Sequence, residues 1–246
     1  GFKITFDTLP KISLPDYKKI AEETRKEKID VEVTEKDIDE TILQIRRMRA
    51  HEALHKEGGH AHDDHSHAPV TDENLPVFDD EFVKTLGAFE SVEMFKEKLK
   101  ENISKEKERE SRSTMRLKIA EALLEKTTMD VPQILIDSEM EKMMFRLKTD
   151  VENAGIVFEE YLKNISKTED DIKKEWEPDA TKKASLELMI FEIAKEEKMK
   201  LDEKEVDNEV KAVLTQYPGA DKMRAQAYVE QVLMHEKVFL LLEGKA

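Results

Sequence analysis

Apolar side chains recur along most of this chain at spacings of three and four, the period of helices that turn one face to a core. Ile38, Ile42, Ile45 and Met48 form the first such stripe; Thr34 precedes it as an N-cap, with Asp37 three residues on to complete a near capping box. Val92, Phe95, Leu99 and Ile103 form a second stripe behind Ser91, and Leu117, Ala120, Leu123 and Leu124 a third. Between these two, Ser104 to Thr114 contains no apolar residue. One helix through all three segments would be about 54 Å long. Its polar middle is the pattern of a helix bridging two packing regions, supported by pairs such as Glu101 with Lys105.

After the break at Asp130-Val131-Pro132, with proline placed to start a helix, come Ile136, Met140, Met143, Met144, Leu147 and Val151, and Gly155 ends that helix. Ile172, Trp176, Ala180, Ala184, Leu188 and Phe191 form the next stripe. Val206, Val210, Val213 and Tyr217 follow, stopped by Pro218-Gly219, and then Tyr228, Val232, His235, Phe239 and Leu242. Short turns between such helices predict antiparallel pairs. Phe2, Ile4 and Phe6 alternate with polar residues, as do Ile29, Val31 and Val33, so two short strands are predicted near the start.

The pattern changes once, between Ala50 and Pro76, where His51, His55, His60, His62, His65 and His67 lie among Gly, Ala, Ser and Asp. Imidazoles and carboxylates so close together could bind a metal, and His60, His62, His65 and His67 are the candidates. The surrounding composition offers no apolar frame to hold such a site, so it reads as a flexible linker with incidental affinity. His235 lies in an apolar row and reads as a satisfied core or edge histidine. Arg46, Arg47 and Arg49 read as a solvated helix end.

With 246 residues, 39% charged and 39% apolar, the chain is lean for one compact globule, and an elongated form is predicted. Net charge is -15, with residues 1 to 50 neutral at 11 basic and 11 acidic groups, so the acidic excess lies downstream. A body this acidic is a poor partner for nucleic acid. No run of about 18 apolar residues is present and no basic-then-apolar leader opens the sequence, so neither a membrane span nor secretion is predicted. Cys is absent, which fits a reducing compartment and makes cytoplasm the expected location. Phosphate loops, dinucleotide fingerprints and nucleophile elbows are missing, and no cofactor is expected. Nine of the 11 Met lie at or after position 115. Flexible thioethers suit a surface that repacks around varied partners, and equally suit core filling.

Two motifs bring these pieces together. The run Leu75-Pro76-Val77-Phe78-Asp79-Asp80-Glu81-Phe82-Val83-Lys84-Thr85-Leu86-Gly87 with the long helix behind it, and Asp130-Val131-Pro132-Gln133-Ile134-Leu135-Ile136-Asp137-Ser138-Glu139, resemble the C-terminal domain of bacterial trigger factor. Leu14 to Lys28 and Val31 to Met48 resemble the segment by which that family leaves its ribosome-binding domain. The resemblance implies a mainly α fold: an elongated multi-helix chaperone domain with two helical arms, from about Leu135 to Met199 and Leu201 to Leu242, plus a small strand-containing linker region. It divides the chain into a linker at 1–50, the His-rich replacement of the isomerase domain at 51–74, and a helical domain at 75–246.

The function implied is that of an ATP-independent chaperone holding unfolded or nascent polypeptides in a helical cradle. Client contacts are expected from Met140, Met144, Phe145, Phe158, Tyr161, Leu162, Tyr217, Met223 and Tyr228, the soft and aromatic residues of the arms. Two departures from the family matter. Only the His-rich stretch stands where a prolyl isomerase domain of roughly a hundred residues belongs, so no enzyme activity is expected. The docking signature of the Gly-Phe-Arg-x-Gly-Lys-x-Pro type is absent, so ribosome contact is expected only through an N-terminal domain that these residues do not include. The other readings open at this point are a metal-binding protein acting through the histidines and a helical adaptor with a single partner.

Overall fold

The computed structural model of the protein describes residues 10–27, 29–57 and 75–245, and among them the secondary structure is almost wholly helical. The strand expected at Phe2, Ile4 and Phe6 and the candidate metal ligands His60, His62, His65 and His67 lie outside the described residues. The packing forms two compact units, one of Lys28–Thr114 and one of Gly1–Glu27 with Met115–Ala246. Within the first unit the helix before the His-rich stretch packs against the segment after it, through Ile42 with Val83 and Phe95.

In the Lys28–Thr114 unit, α2 (Glu35–Glu57) begins at the expected capping box. Asp37 N–H donates to Thr34 Oγ1 at 3.2 Å while Thr34 N–H donates to Asp37 Oδ2 at 2.7 Å. Lys107 of α4 (Val92–Lys126) donates to the same carboxylate at 2.7 Å. That bond, with those from the Thr34 backbone and hydroxyl, holds the Asp37 carboxyl down at about 2. Asp79 caps α3 (Asp80–Lys84) by accepting Phe82 N–H at 2.9 Å. Ile42, Val83, Phe95 and Leu99 form the core, with Phe78 and Phe89 meeting Phe95 edge-to-face at 5.8 and 5.1 Å. Arg46 and Arg49 are more than a solvated helix end. Arg46 donates to the Pro76 carbonyl at 2.7 Å, and Arg49 pairs with Glu52 at 2.6 Å.

The other unit contains α1 (Tyr17–Arg25), the end of α4 from Met115, α5 (Gln133–Asn153), α6 (Phe158–Asn164), α7 (Glu169–Glu196), α8 (Glu203–Gln216) and α9 (Lys222–Leu242). Its central core joins Tyr17, Ile20, Ala21, Ile119, Leu123, Met189, Ile190, Ile193, Val238 and Leu242. Two helical arms leave this core, as the fold class predicts. In the first, Ile136 and Met140 of α5 meet Ala180 and Ala184 of α7, while Met144 and Val151 meet Phe158 and Ile172, so α5 and α7 run antiparallel and α6 closes their far end. In the second, Val206 and Val210 of α8 pack on Val229 of α9. Asp202 and Asp221 cap α8 and α9, and a full capping box of Thr168 with Asp171 opens α7. Pro178 lies inside α7, which continues through it because Trp176, Ala180 and Ala184 on either side are held against α5.

Ile29, Val31 and Val33 do not form the expected strand. Among the described residues the one β-bridge pairs Ser13 with Thr128, and alternation without a neighbouring strand to pair with does not make a sheet. Helix ends follow the expected chemistry more closely. Gly155, at φ 74°, ends α5, with its N–H on the Glu152 carbonyl and that of Ile156 on Val151. Lys198 has the same role after α7 at φ 51°, donating to Lys195 while Met199 N–H donates to Ala194. A side chain in this left-handed region is strained, so Lys198→Gly is expected to stabilise the protein by about 0.5–1 kcal/mol, net of the glycine entropy, as measured by urea denaturation.

Candidate functional site

Three helix faces of the arm-bearing unit converge on a groove of about 290 Å³. Leu135, Ser138 and Lys142 line it from α5, Ala184, Glu187, Leu188 and Phe191 from α7, and Gln231 from α9. The α5 and α7 sets repeat at three and four residues, so each of these two helices offers one continuous stripe. Phe145 extends the α5 stripe one turn beyond Lys142. Tyr228 and Val232 flank Gln231 on α9. Ala184 and Leu188 are buried and form an apolar base, whereas Phe145 is 73% exposed, Phe191 52%, Tyr228 60% and Val232 45%. Large apolar side chains standing in water on the helices that line an apolar base mark a surface with affinity for other apolar groups.

A polar cluster spans the groove. Gln231 Nε2 donates to Glu187 Oε2 at 2.7 Å, and His235 Nε2 lies 2.9 Å from the same oxygen. Lys142 is paired with Glu139 at 2.5 Å on α5. Burial raises the Glu187 carboxyl, but the His235 bond and charge, the Gln231 bond and the Lys142 charge outweigh it, and the group is held below the usual carboxylate value. A second cavity, of about 490 Å³, lies on the other flank of α7 between Thr181, Lys182 and Ser185 and the Glu121–Met129 region.

The residues expected to contact clients divide by burial. Met140, Met144 and Phe158 are core side chains between α5, α6 and α7, and Tyr161 and Leu162 pack partly buried beside them. Met223, 79% exposed, and Tyr217 stand at the turn between α8 and α9, and Phe145 and Tyr228 are exposed on α5 and α9. Sequence reading also missed Phe191 and Val232, which it placed on buried stripes. The buried residues of α7 near its end are Met189, Ile190 and Ile193, and those of α9 are Ala225, Val229, Val238 and Leu242. The available signal was the run Leu186 to Ile193, apolar on more than one side, which is too wide for a single buried stripe. His235, expected to be a satisfied edge histidine, is half-buried and bonded to Glu187. Among the described residues no group of three His, Asp or Glu side chains is placed to hold a metal ion, and no helix is long and apolar enough to cross a membrane.

Comparison with known proteins places this fold. The family described as bacterial trigger factor protein (TF) C-terminus matches residues 91–245. Trigger factor from Agathobacter rectalis is 29% identical over 151 residues, covering 61% of this chain and 34% of that protein. Trigger factor from Halothermothrix orenii is 29% identical over 138 residues, covering 56% of this chain and 32% of that protein. The chain thus spans about a third of the length of these curated relatives. A solved structure described under promiscuous substrate recognition in folding and assembly activities of the trigger factor chaperone aligns with TM-score 0.48 at 17% identity, covering 96% of this chain and 73% of that one.

Proposed function

Because this chain belongs to the trigger factor family through its C-terminal portion, we propose that it is a holding chaperone that takes apolar segments of unfolded or nascent polypeptides into the groove between α5, α7 and α9. The observation that carries this reading is exposed Phe191 beside the buried groove base of Ala184 and Leu188, together with exposed Phe145 on α5 and Tyr228 and Val232 on α9, the helices that line the rest of the groove. Met223 and Tyr217 at the turn of the second arm provide a further apolar contact. The groove is at the small end of ligand sites, so it accepts a side chain or two rather than a folded partner, and binding is weak and reversible. A net charge of -15 keeps a protein with so much exposed apolar surface from associating with itself.

The action is non-covalent and independent of nucleotide, in keeping with a sequence without a phosphate-binding loop. It takes place in the cytoplasm, and contact with the ribosome comes through the N-terminal part found in full-length relatives. The purified chain is expected to slow the aggregation of a chemically unfolded protein on dilution, at near-equimolar ratio and without ATP, as followed by light scattering. Unchanged scattering at a several-fold excess would refute the reading.

A further inference from the structure

The α5/α7/α9 groove does not end where α9 leaves it. A cavity of about 340 Å³ continues it outward along the first arm, and Glu139 and Lys142 of α5 line both. Across the two, Leu135, Glu139, Lys142, Arg146 and Asp150 keep to one face of α5 at steps of three and four. On antiparallel α7 the lining runs through Phe191, Glu187 and Lys183 to Trp176, again at whole turns. From Leu135 to Asp150 the seam is about 22 Å long, room for about seven residues of extended chain.

Its chemistry changes along that length. The inner end has the apolar base of Ala184 and Leu188 and the carboxylate of Glu187. At the outer end Met143, Leu147 and Trp176 give an apolar floor, Trp176 packing partly buried in both cores of the arm. Above it stand Arg146 and Lys183. Between the two ends Lys142 is already paired with Glu139. Lys183 is exposed and has no hydrogen bond or ion pair among the described residues. Arg146 lies 3.9 Å from Asp150, with the two side chains 85% and 67% exposed, and so loose a pair contributes little. The outer cavity thus offers two cations with uncommitted charge over an aromatic floor, on a chain whose net charge is -15.

The geometry points to an acidic-residue subsite at Arg146, Lys183 and Trp176, which takes a Glu or Asp side chain of a client whose apolar side chain occupies the groove. This deepens the client reading and rests on it. The carboxylate meets the two cations, and the methylenes of a Glu lie on the indole. Spacing follows from the helix. Ser138 in the groove and Arg146 in the outer cavity are eight residues apart, about 12 Å, or about four residues of extended chain. Side chains of an extended segment alternate, so residues four apart share a face and both can enter the seam. The preferred segment therefore carries an apolar residue and a carboxylate four positions apart, and a Lys in place of the carboxylate is repelled.

Peptides titrated into the full chain test this. The sequence has one Trp, so with peptides free of Trp and Tyr the emission of Trp176 reports on the outer cavity. Each peptide has blocked termini and a Gly/Ser background, with Leu and, four positions on, Glu, Gln or Lys. The Glu peptide is expected to bind about fivefold more tightly than the Gln peptide, the order expected of exposed ion pairs, and the Lys peptide most weakly. Raising the salt concentration should shrink that ratio by screening. Placing Glu three positions from Leu, on the opposite face, should abolish it. Arg146→Glu with Lys183→Glu, both at exposed positions, should reverse the order, so that the Lys peptide binds best. Equal affinity of the native chain for the Glu and Gln peptides, an advantage indifferent to spacing, or one that survives the charge reversal would overturn the subsite while leaving the groove reading intact. If a Glu peptide with Gly in place of Leu bound as tightly as the Leu peptide, the groove reading would fail and the acidic subsite alone would stand.

Discussion

Replacing Leu123 by alanine is expected to lower the unfolding free energy by about 3 kcal/mol, within the range seen when a fully enclosed leucine is truncated. Leu123 is 0% exposed where α1, α4, α7 and α9 meet, among Tyr17, Ile20, Ile119, Met189, Ile193 and Val238. Four helices from distant parts of the sequence border the void, so none can collapse into it without moving the others. Domains are commonly stable by only about 5–15 kcal/mol, so the loss would be a large share of the whole. Leu117, six residues earlier on the same helix and 59% exposed, supplies the control. The same truncation there should change stability by about 0.5 kcal/mol or less. Urea denaturation followed by circular dichroism would compare them, and equal losses would contradict the assignment of this junction as the centre of the arm-bearing unit.

Most of the helical fold is legible in the sequence because helix ends have chemical signatures of their own. Thr34 with Asp37, Ser91, Pro132 and Gly155 each stand within a residue or two of an observed boundary. The run from Leu75 to Gly87 was legible as a motif, and its phenylalanines explain the shape of the core beside α2. The strand at Ile29 to Val33 was not, since alternation specifies a face without specifying a partner, and only pairing makes a sheet.

Of the residues expected at the candidate site, some stand exposed and others are buried. Helical periodicity identifies residues that share a face and leaves open which face is buried. Tyr228 and Val232 do share one, but it stands exposed, while the adjacent row of Ala225 and Val229 is buried. Methionine left two roles open: Met140 and Met144 are flexible enough to serve a client surface, and the same flexibility lets them fill the seam between α5, α6 and α7. The Glu187–His235 bond joins residues 48 apart in sequence, and nothing local signals it.

The second large effect concerns the groove itself. Phe145, Phe191 and Tyr228 come from three helices and are each more than half exposed, so exchanging all three for serine should leave stability within about 1 kcal/mol of the native chain. Their loss removes the aromatic area that an apolar segment would cover, and a contribution of about 1 kcal/mol from each ring, about 3 kcal/mol together, corresponds to a weakening of about 100-fold at about 1.4 kcal/mol per tenfold. Met48→Ser with Val77→Ser removes two comparably exposed apolar side chains of the Lys28–Thr114 unit, neither of which lines the groove. The decisive measurement is a fluorescence titration of labelled, permanently unfolded lactalbumin with the native chain and both variants at pH 8. The groove account predicts near-native affinity for Met48→Ser/Val77→Ser and almost complete loss for the Phe145, Phe191 and Tyr228 variant; native affinity in the latter, or equal weakening in both, would contradict it.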